Sequence, residues 1–73
     1  MREHQKSLSA LGDRIRSRRE KLKLSQESLA DRCGFDRTYI SMLERGRRNP
    51  AFVNLIKLAE GLEMPLSTLI EGI

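Results

Sequence analysis

The sequence predicts an all-α protein, a compact bundle of five helices. Three observations carry that expectation. Apolar residues recur at helical spacing through most of the chain. Capping and stopping residues punctuate it at short intervals. No segment alternates apolar and polar residues over a useful length, so no sheet is expected. The 73 residues make one domain at most, with a limited core that dimerisation would help to stabilise.

The elements follow in order. Residues 1–7 are polar and aperiodic and read as a flexible arm, with residues 8–73 forming the folded domain. Leu8, Leu11, Ile15 and Leu22 place a first helix from Ser7 or Ser9 to Lys23. Ser25 is an N-cap candidate for a second helix, with Gln26 and Glu27 in its first turn. That helix runs to about Cys33 and buries Leu29, Ala30 and Cys33. Gly34 and Phe35 form a turn. Asp36 caps a third helix that reaches about Arg45 and stops at Gly46. Asn49 and Pro50 mark the next start, with Pro50 near the first helical position. The fourth helix carries Val53, Leu55, Ile56, Leu58, Ala59 and Leu62. Pro65 opens a short fifth helix with Leu66, Leu69, Ile70 and Ile73.

Composition excludes several classes of function. A single cysteine allows no intramolecular disulfide and no thiolate zinc cluster, and it fits a reducing cytoplasm. Cys33 itself reads as a small core residue. No stretch approaches the roughly 18 apolar residues of a membrane span. Aromatic residues are only 4% of the chain, too few for a platform that stacks single-stranded bases. There is no nucleophile paired with a base, no metal-ligand cluster and no cofactor site, and the one histidine, His4, cannot assemble one. An enzyme is therefore not expected. The net charge of +4 suits a polyanionic partner. Arg14, Arg16, Arg18, Arg19, Lys21 and Lys23 crowd one segment, and Arg37, Arg45, Arg47 and Arg48 another. Most of the first group is expected to be solvated, because that helix should face away from a nucleic acid.

One constellation goes further. Gln26, Ala30, Gly34, Ile40 and Leu43 stand at relative positions 1, 5, 9, 15 and 18. A small residue at Ala30 lets two helices cross closely. Gly34 supplies a positive φ without strain. Ile40 and Leu43 plug the second of the two helices back onto the first. This is the pattern of a helix-turn-helix, whose second helix enters the major groove of DNA. On that helix Arg37, Thr38 and Ser41 share or border one face. Arg37 can donate twice to a guanine, and Thr38 offers a methyl and a hydroxyl. Tyr39 is expected along the backbone, its hydroxyl donating to phosphate. Ser25 and Gln26 should hold a phosphate on one flank. Arg47, Arg48 and Asn49 form a loop that can approach the backbone or a narrow minor groove.

The runs SQESLADRCGFDRTYISMLERGRRNP and LIKLAEGLEMPLSTLI resemble the lambda-repressor-like, or Xre-type, helix-turn-helix family. Within it, DRTYIS followed by ERG is most similar to the controller proteins of restriction–modification systems. The resemblance covers about Leu11 to Leu69. It implies a five-helix bundle and a homodimer on a partly palindromic operator, repressing or activating. It adds Met42 to the base-reading face. It also implies an ion pair between Glu44 and Arg19, which would tie the first helix to the third. Ala51 departs from the family, which often has a capping Ser or Thr there, so Asn49 is the alternative cap. A dimer seam is expected from Leu66, Leu69, Ile70 and Ile73, which give the last helix more apolar surface than its own core needs. Double-stranded DNA and a second copy are the expected partners, with RNA polymerase where the protein activates. The competing reading is an antitoxin-type module that binds a protein and its own operator. It would call for a long partner-wrapping segment, and the sequence gives it little support.

Overall fold

The computed structural model describes residues 4–73. Five helices follow one another: α1 (Gln5–Lys21), α2 (Gln26–Cys33), α3 (Arg37–Glu44), α4 (Phe52–Gly61) and α5 (Leu66–Leu69). No strand occurs among the described residues. One core joins all five. Leu11 and Ile15 of α1 meet Leu29, Ala30 and Cys33 of α2, Ile40 and Leu43 of α3, Leu58 and Ala59 of α4, Leu62 and Leu69.

The α2–α3 unit is built by local chemistry. Ser25 has extended backbone, and its hydroxyl accepts the Ser28 N–H at 3.0 Å, satisfying one donor that a helix start leaves unpaired. At the other end Gly34 has φ +76°, and the Phe35 N–H reaches back to the Ala30 carbonyl at 2.9 Å. A side chain there would be strained although the surrounding space is open. Ala30 is buried at the crossing with α3.

Three boundaries and one cap differ from the sequence expectation. First, α1 begins at Gln5, so Gln5–Ser7 belong to the helix and not to an arm; residues 1–3 of that arm lie outside the described residues. A tertiary contact accounts for the extension: the Gln5 amide donates to the Gly46 carbonyl at 2.9 Å and to the Ser9 hydroxyl. Second, α1 stops at Lys21. Lys23 turns left-handed, φ 60°, and the Leu24 N–H bonds the Arg19 carbonyl at 3.0 Å. This is a helix stop usually given to glycine. Third, Asp36 occupies the N-cap position of α3 but makes no side-chain cap bond; its backbone carbonyl accepts from Tyr39 and Ile40. Fourth, neither Asn49 nor Pro50 starts α4. Ala51 is its N-cap and offers no side-chain acceptor, while Pro50 is buried in the preceding loop. Val53 then falls on the outer face of α4, 59% exposed.

The arginines of α1 hold the bundle together from outside the apolar core. Arg14 donates to the carbonyls of Thr68, Leu69 and Glu71, the last at 2.6 Å. Arg18 donates to those of Leu62 and Glu63 at 2.9 and 3.0 Å. Each guanidinium meets the carbonyls that a helix C-terminus leaves unpaired, where the helix dipole also favours a cation. Arg32 adds a third such contact, to the Gly61 carbonyl and the Glu63 carboxylate. The expectation that the α1 cations are mostly solvated is corrected for Arg14 and Arg18; Arg19 meets Glu44, as the family resemblance implies.

Candidate nucleic-acid interface

Helix α3 has two chemically separate faces. Ile40, Leu43 and Glu44 are buried. Arg37 and Thr38 are exposed, and Ser41 and Met42 are half-buried beside them. Positions 37, 38 and 41 share a face because residues three and four apart are neighbours on a helix.

A charged network sets the angle of this helix. The Glu44 carboxylate is buried and accepts twice from Arg19, at 2.6 Å from Nε and 3.0 Å from Nη2. It also accepts from the Gln26 amide at 3.1 Å. Arg19 in turn donates to the Leu24 carbonyl at 2.9 Å. The hydrogen bond to Glu44 holds the Arg19 guanidinium above its ordinary pKa; burial opposes this, and the charges of Glu44 and Glu20 add to it. The fork-on-carboxylate geometry fixes direction as well as distance. Three helices therefore converge on one carboxylate: α1 through Arg19, α2 through Gln26 and α3 through Glu44 itself.

The same network engages the start of α2. Gln26 gives one amide hydrogen inward to Glu44, and Ser25 uses its hydroxyl as a helix cap while also donating to the Ser28 hydroxyl at 2.9 Å. Both sit at the start of α2, where unpaired backbone N–H groups gather.

On the other flank, α3, the following loop and α4 form a second cluster. Tyr39 is half-buried, its ring edge-on to Phe35 with centroids 4.8 Å apart. The Arg48 guanidinium lies 4.8 Å above the Tyr39 ring. Asn54 of α4 donates to the Tyr39 hydroxyl at 3.1 Å. Arg47, Arg48 and Asn49 are exposed along the loop. A cleft of about 400 Å³ opens here, with Thr38, Tyr39, Met42, Arg48 and Asn54 in its walls. Sequence reasoning missed Asn54, because an asparagine on a helix carries no signal until its tertiary neighbour is known.

The four residues expected at a dimer seam separate. Leu69 is fully buried in its own protomer, so it cannot face a second copy. Its α5 turn is pulled inward by the Arg14 contacts, and that helix needs one large side chain to reach the core. Leu66 is half-buried against the core. Ile70 and Ile73 remain 40% exposed. Among the described residues, the largest apolar exposures lie elsewhere, at Phe52 (66%) and Val53 on α4.

Among the described residues, no group of three or more His, Cys, Asp or Glu is placed to hold a metal ion, and no helix is long and apolar enough to cross a membrane. Cys33 is buried, and burial pushes its thiol above the ordinary value despite nearby Arg32. That is the setting of an unreactive core residue.

Comparisons with known proteins agree with this geometry. The family model described as helix-turn-helix matches residues 15–69. The chain is 50% identical over 56 residues to control protein C.MunI of a Mycoplasma species, spanning 77% of this chain and 76% of that protein. The fold is similar to the crystal structure of the restriction-modification controller protein C.AhdI from Aeromonas hydrophila. The TM-score is 0.83 at 44% identity, covering 85% of this chain and 94% of the other. It is also similar to the controller protein C.Esp1396I, solved as a tetramer in complex with its natural 35 base-pair operator. There the TM-score is 0.81 at 35% identity, with 89% and 86% covered.

Proposed function

The chain belongs to the helix-turn-helix family of Xre or lambda-repressor-like proteins, and from that premise we propose that it is a transcriptional regulator of the restriction–modification controller type. It binds a partly palindromic operator as a homodimer, each protomer placing α3 in one major groove. Half-site centres then lie about 34–36 Å apart, one helical turn. The observation that carries this reading is the division of α3. Its inner face is locked by core packing and by the Arg19–Glu44–Gln26 network, while its outer face leaves Arg37 and Thr38 exposed.

Roles follow from position. Arg37, Thr38, Ser41 and Met42 read base edges. Ser25, Gln26, Tyr39, Arg47, Arg48 and Asn49 hold the backbone or reach a narrow minor groove. Arg19 and Glu44 set the reading angle. The protomers meet through exposed apolar side chains, Ile70 and Ile73 beyond α5 and Phe52 and Val53 on α4. The protein works in the cytoplasm. It represses where its operator overlaps a promoter. Where the operator lies just upstream, it activates by contacting RNA polymerase.

Selection of binding sites from a random duplex pool at near-physiological salt tests this. A two-fold site with centres one turn apart is the expected product. Survival of only weak, sequence-blind binding would remove the DNA reading and point to a protein partner.

A further inference from the structure

Asn54 does not sit on α3 or in the loop that follows it, yet its side chain meets the Tyr39 hydroxyl of α3. A phenol has one hydrogen to donate and two lone pairs to accept with. In Tyr39 one lone pair is taken by the Asn54 amide N–H, whose nitrogen lies 3.1 Å away. The amide presents a donor there, so the Tyr39 hydrogen cannot point back along the same line. It must turn to another acceptor. Accepting one bond also polarises the O–H and strengthens it as a donor.

The ring that carries this hydroxyl is held on two other sides. Phe35 meets it edge-on, and the Arg48 guanidinium lies over its face. The open cleft beside it is walled by Asp36, Thr38, Tyr39, Arg48 and Asn54. The guanidinium above the ring attracts an anion, and the aimed hydroxyl supplies a directed hydrogen bond to it. An acceptor oxygen bearing negative charge fits both.

We propose that Asn54 is a positioning residue for DNA binding: it aims the Tyr39 hydroxyl at a phosphodiester oxygen of the operator strand that passes beside α3. This rests on the DNA-binding reading above. Asn54 itself need not touch DNA; its effect passes through the Tyr39 proton.

The test is a double-mutant cycle on the operator recovered by site selection, using the full chain. Asn54→Leu removes the donor at similar volume, Asn54→Ala checks that the result does not depend on the leucine, and Tyr39→Phe removes the hydroxyl. Asn54→Leu should weaken binding of the homodimer roughly ten- to a hundredfold in the wild-type background, the size of one directed hydrogen bond in each half-site. It should change affinity by less than about twofold once Tyr39 is Phe. The salt slope should not move, because a hydroxyl displaces no counterion. Thermal unfolding of each variant reports whether the fold is intact. Equal losses in both backgrounds, or no loss in either, would overturn the proposal. So would a slope reduced by about one per protomer contact, which would mean that Asn54 acts by placing the Arg48 charge. Failure of the wild-type protein to select any site sinks the DNA reading itself. A wild-type protein that binds its operator, with an Asn54→Leu variant that binds equally well, sinks only this inference.

Discussion

Arg37 is exposed at the first turn of α3 and makes no contact that the fold needs. Its replacement therefore tests recognition without testing stability. Arg37→Ala is expected to cost about 1–3 kcal/mol on the best site and to relax preference at one base position. Titration against a panel of single-base operator variants checks this, and unchanged affinity with unchanged preference would remove Arg37 from the reading face. Arg19 is the opposite case. Its partner Glu44 is buried, and Arg19→Leu would leave that carboxylate with the Gln26 amide alone. Breaking one side of a buried pair costs roughly 3–5 kcal/mol, comparable with the whole stability of a small domain. Urea denaturation should show the loss. Adding Glu44→Leu to Arg19→Leu should restore most of it, because the unpaired charge is then gone.

At the scale of elements, α1 lies against the backbone of α3 at Gly12. A Cβ at Gly12 would run into the Leu43 carbonyl oxygen and lie 2.6 Å from that of Glu44. Both obstacles are backbone and cannot rotate away. Gly12→Ala should therefore cost about 3 kcal/mol or more, at or beyond the usual range for overpacking, and it should weaken DNA binding by tilting α3. A midpoint in urea equal to that of the wild type would show that the two helices can separate freely. Gly12 also marks a limit of sequence reading, since a glycine inside a helical pattern looks merely unfavourable until the crossing helix is seen. The α2–α3 unit was legible because its determinants are local: a serine cap, a glycine stop and apolar spacing. The start of α4 was not, because Ala51 has no capping side chain and Pro50 is placed by burial in its loop. The roles of Arg14 and Arg18 were unreadable for a related reason. Their partners are backbone carbonyls 44 to 57 residues away, and a carbonyl leaves no trace in the residue alphabet. Leu69 was misassigned because a four-residue helix gives too little periodicity to tell its inner side from its outer.

Across the whole molecule, the formal charge overstates what faces a nucleic acid. Arg14, Arg18, Arg19 and Arg32 are committed to internal carbonyls and carboxylates, which leaves Arg37, Arg45, Arg47 and Arg48 as the exposed cations on and just after α3. Arg48→Ala should weaken binding to all sequences about equally and reduce the salt slope by roughly one per protomer contact. A loss confined to sites with A·T-rich centres would assign Arg48 to the minor groove instead. Assembly is tested separately. Ile70→Glu and Phe52→Glu each place a charge on an exposed apolar surface, and sedimentation should show monomers for a substitution within the seam. Operator affinity should then fall roughly a hundredfold or more, since each half-site would be bound without its tethered neighbour. Dimers that persist in both variants would place the seam elsewhere.

The two faces of α3 answer to different demands. What keeps the helix in place, Ile40, Leu43 and Glu44, lies wholly on the inner side. Arg37 and Thr38 touch nothing that the fold requires. The outward-facing letters proposed to choose an operator can thus be rewritten while the clamp behind them stays constant. A library varied only at Arg37, Thr38 and Ser41 should yield folded proteins with new preferences, and the same separation lets a lineage retarget its regulator in single steps without passing through an unfolded intermediate.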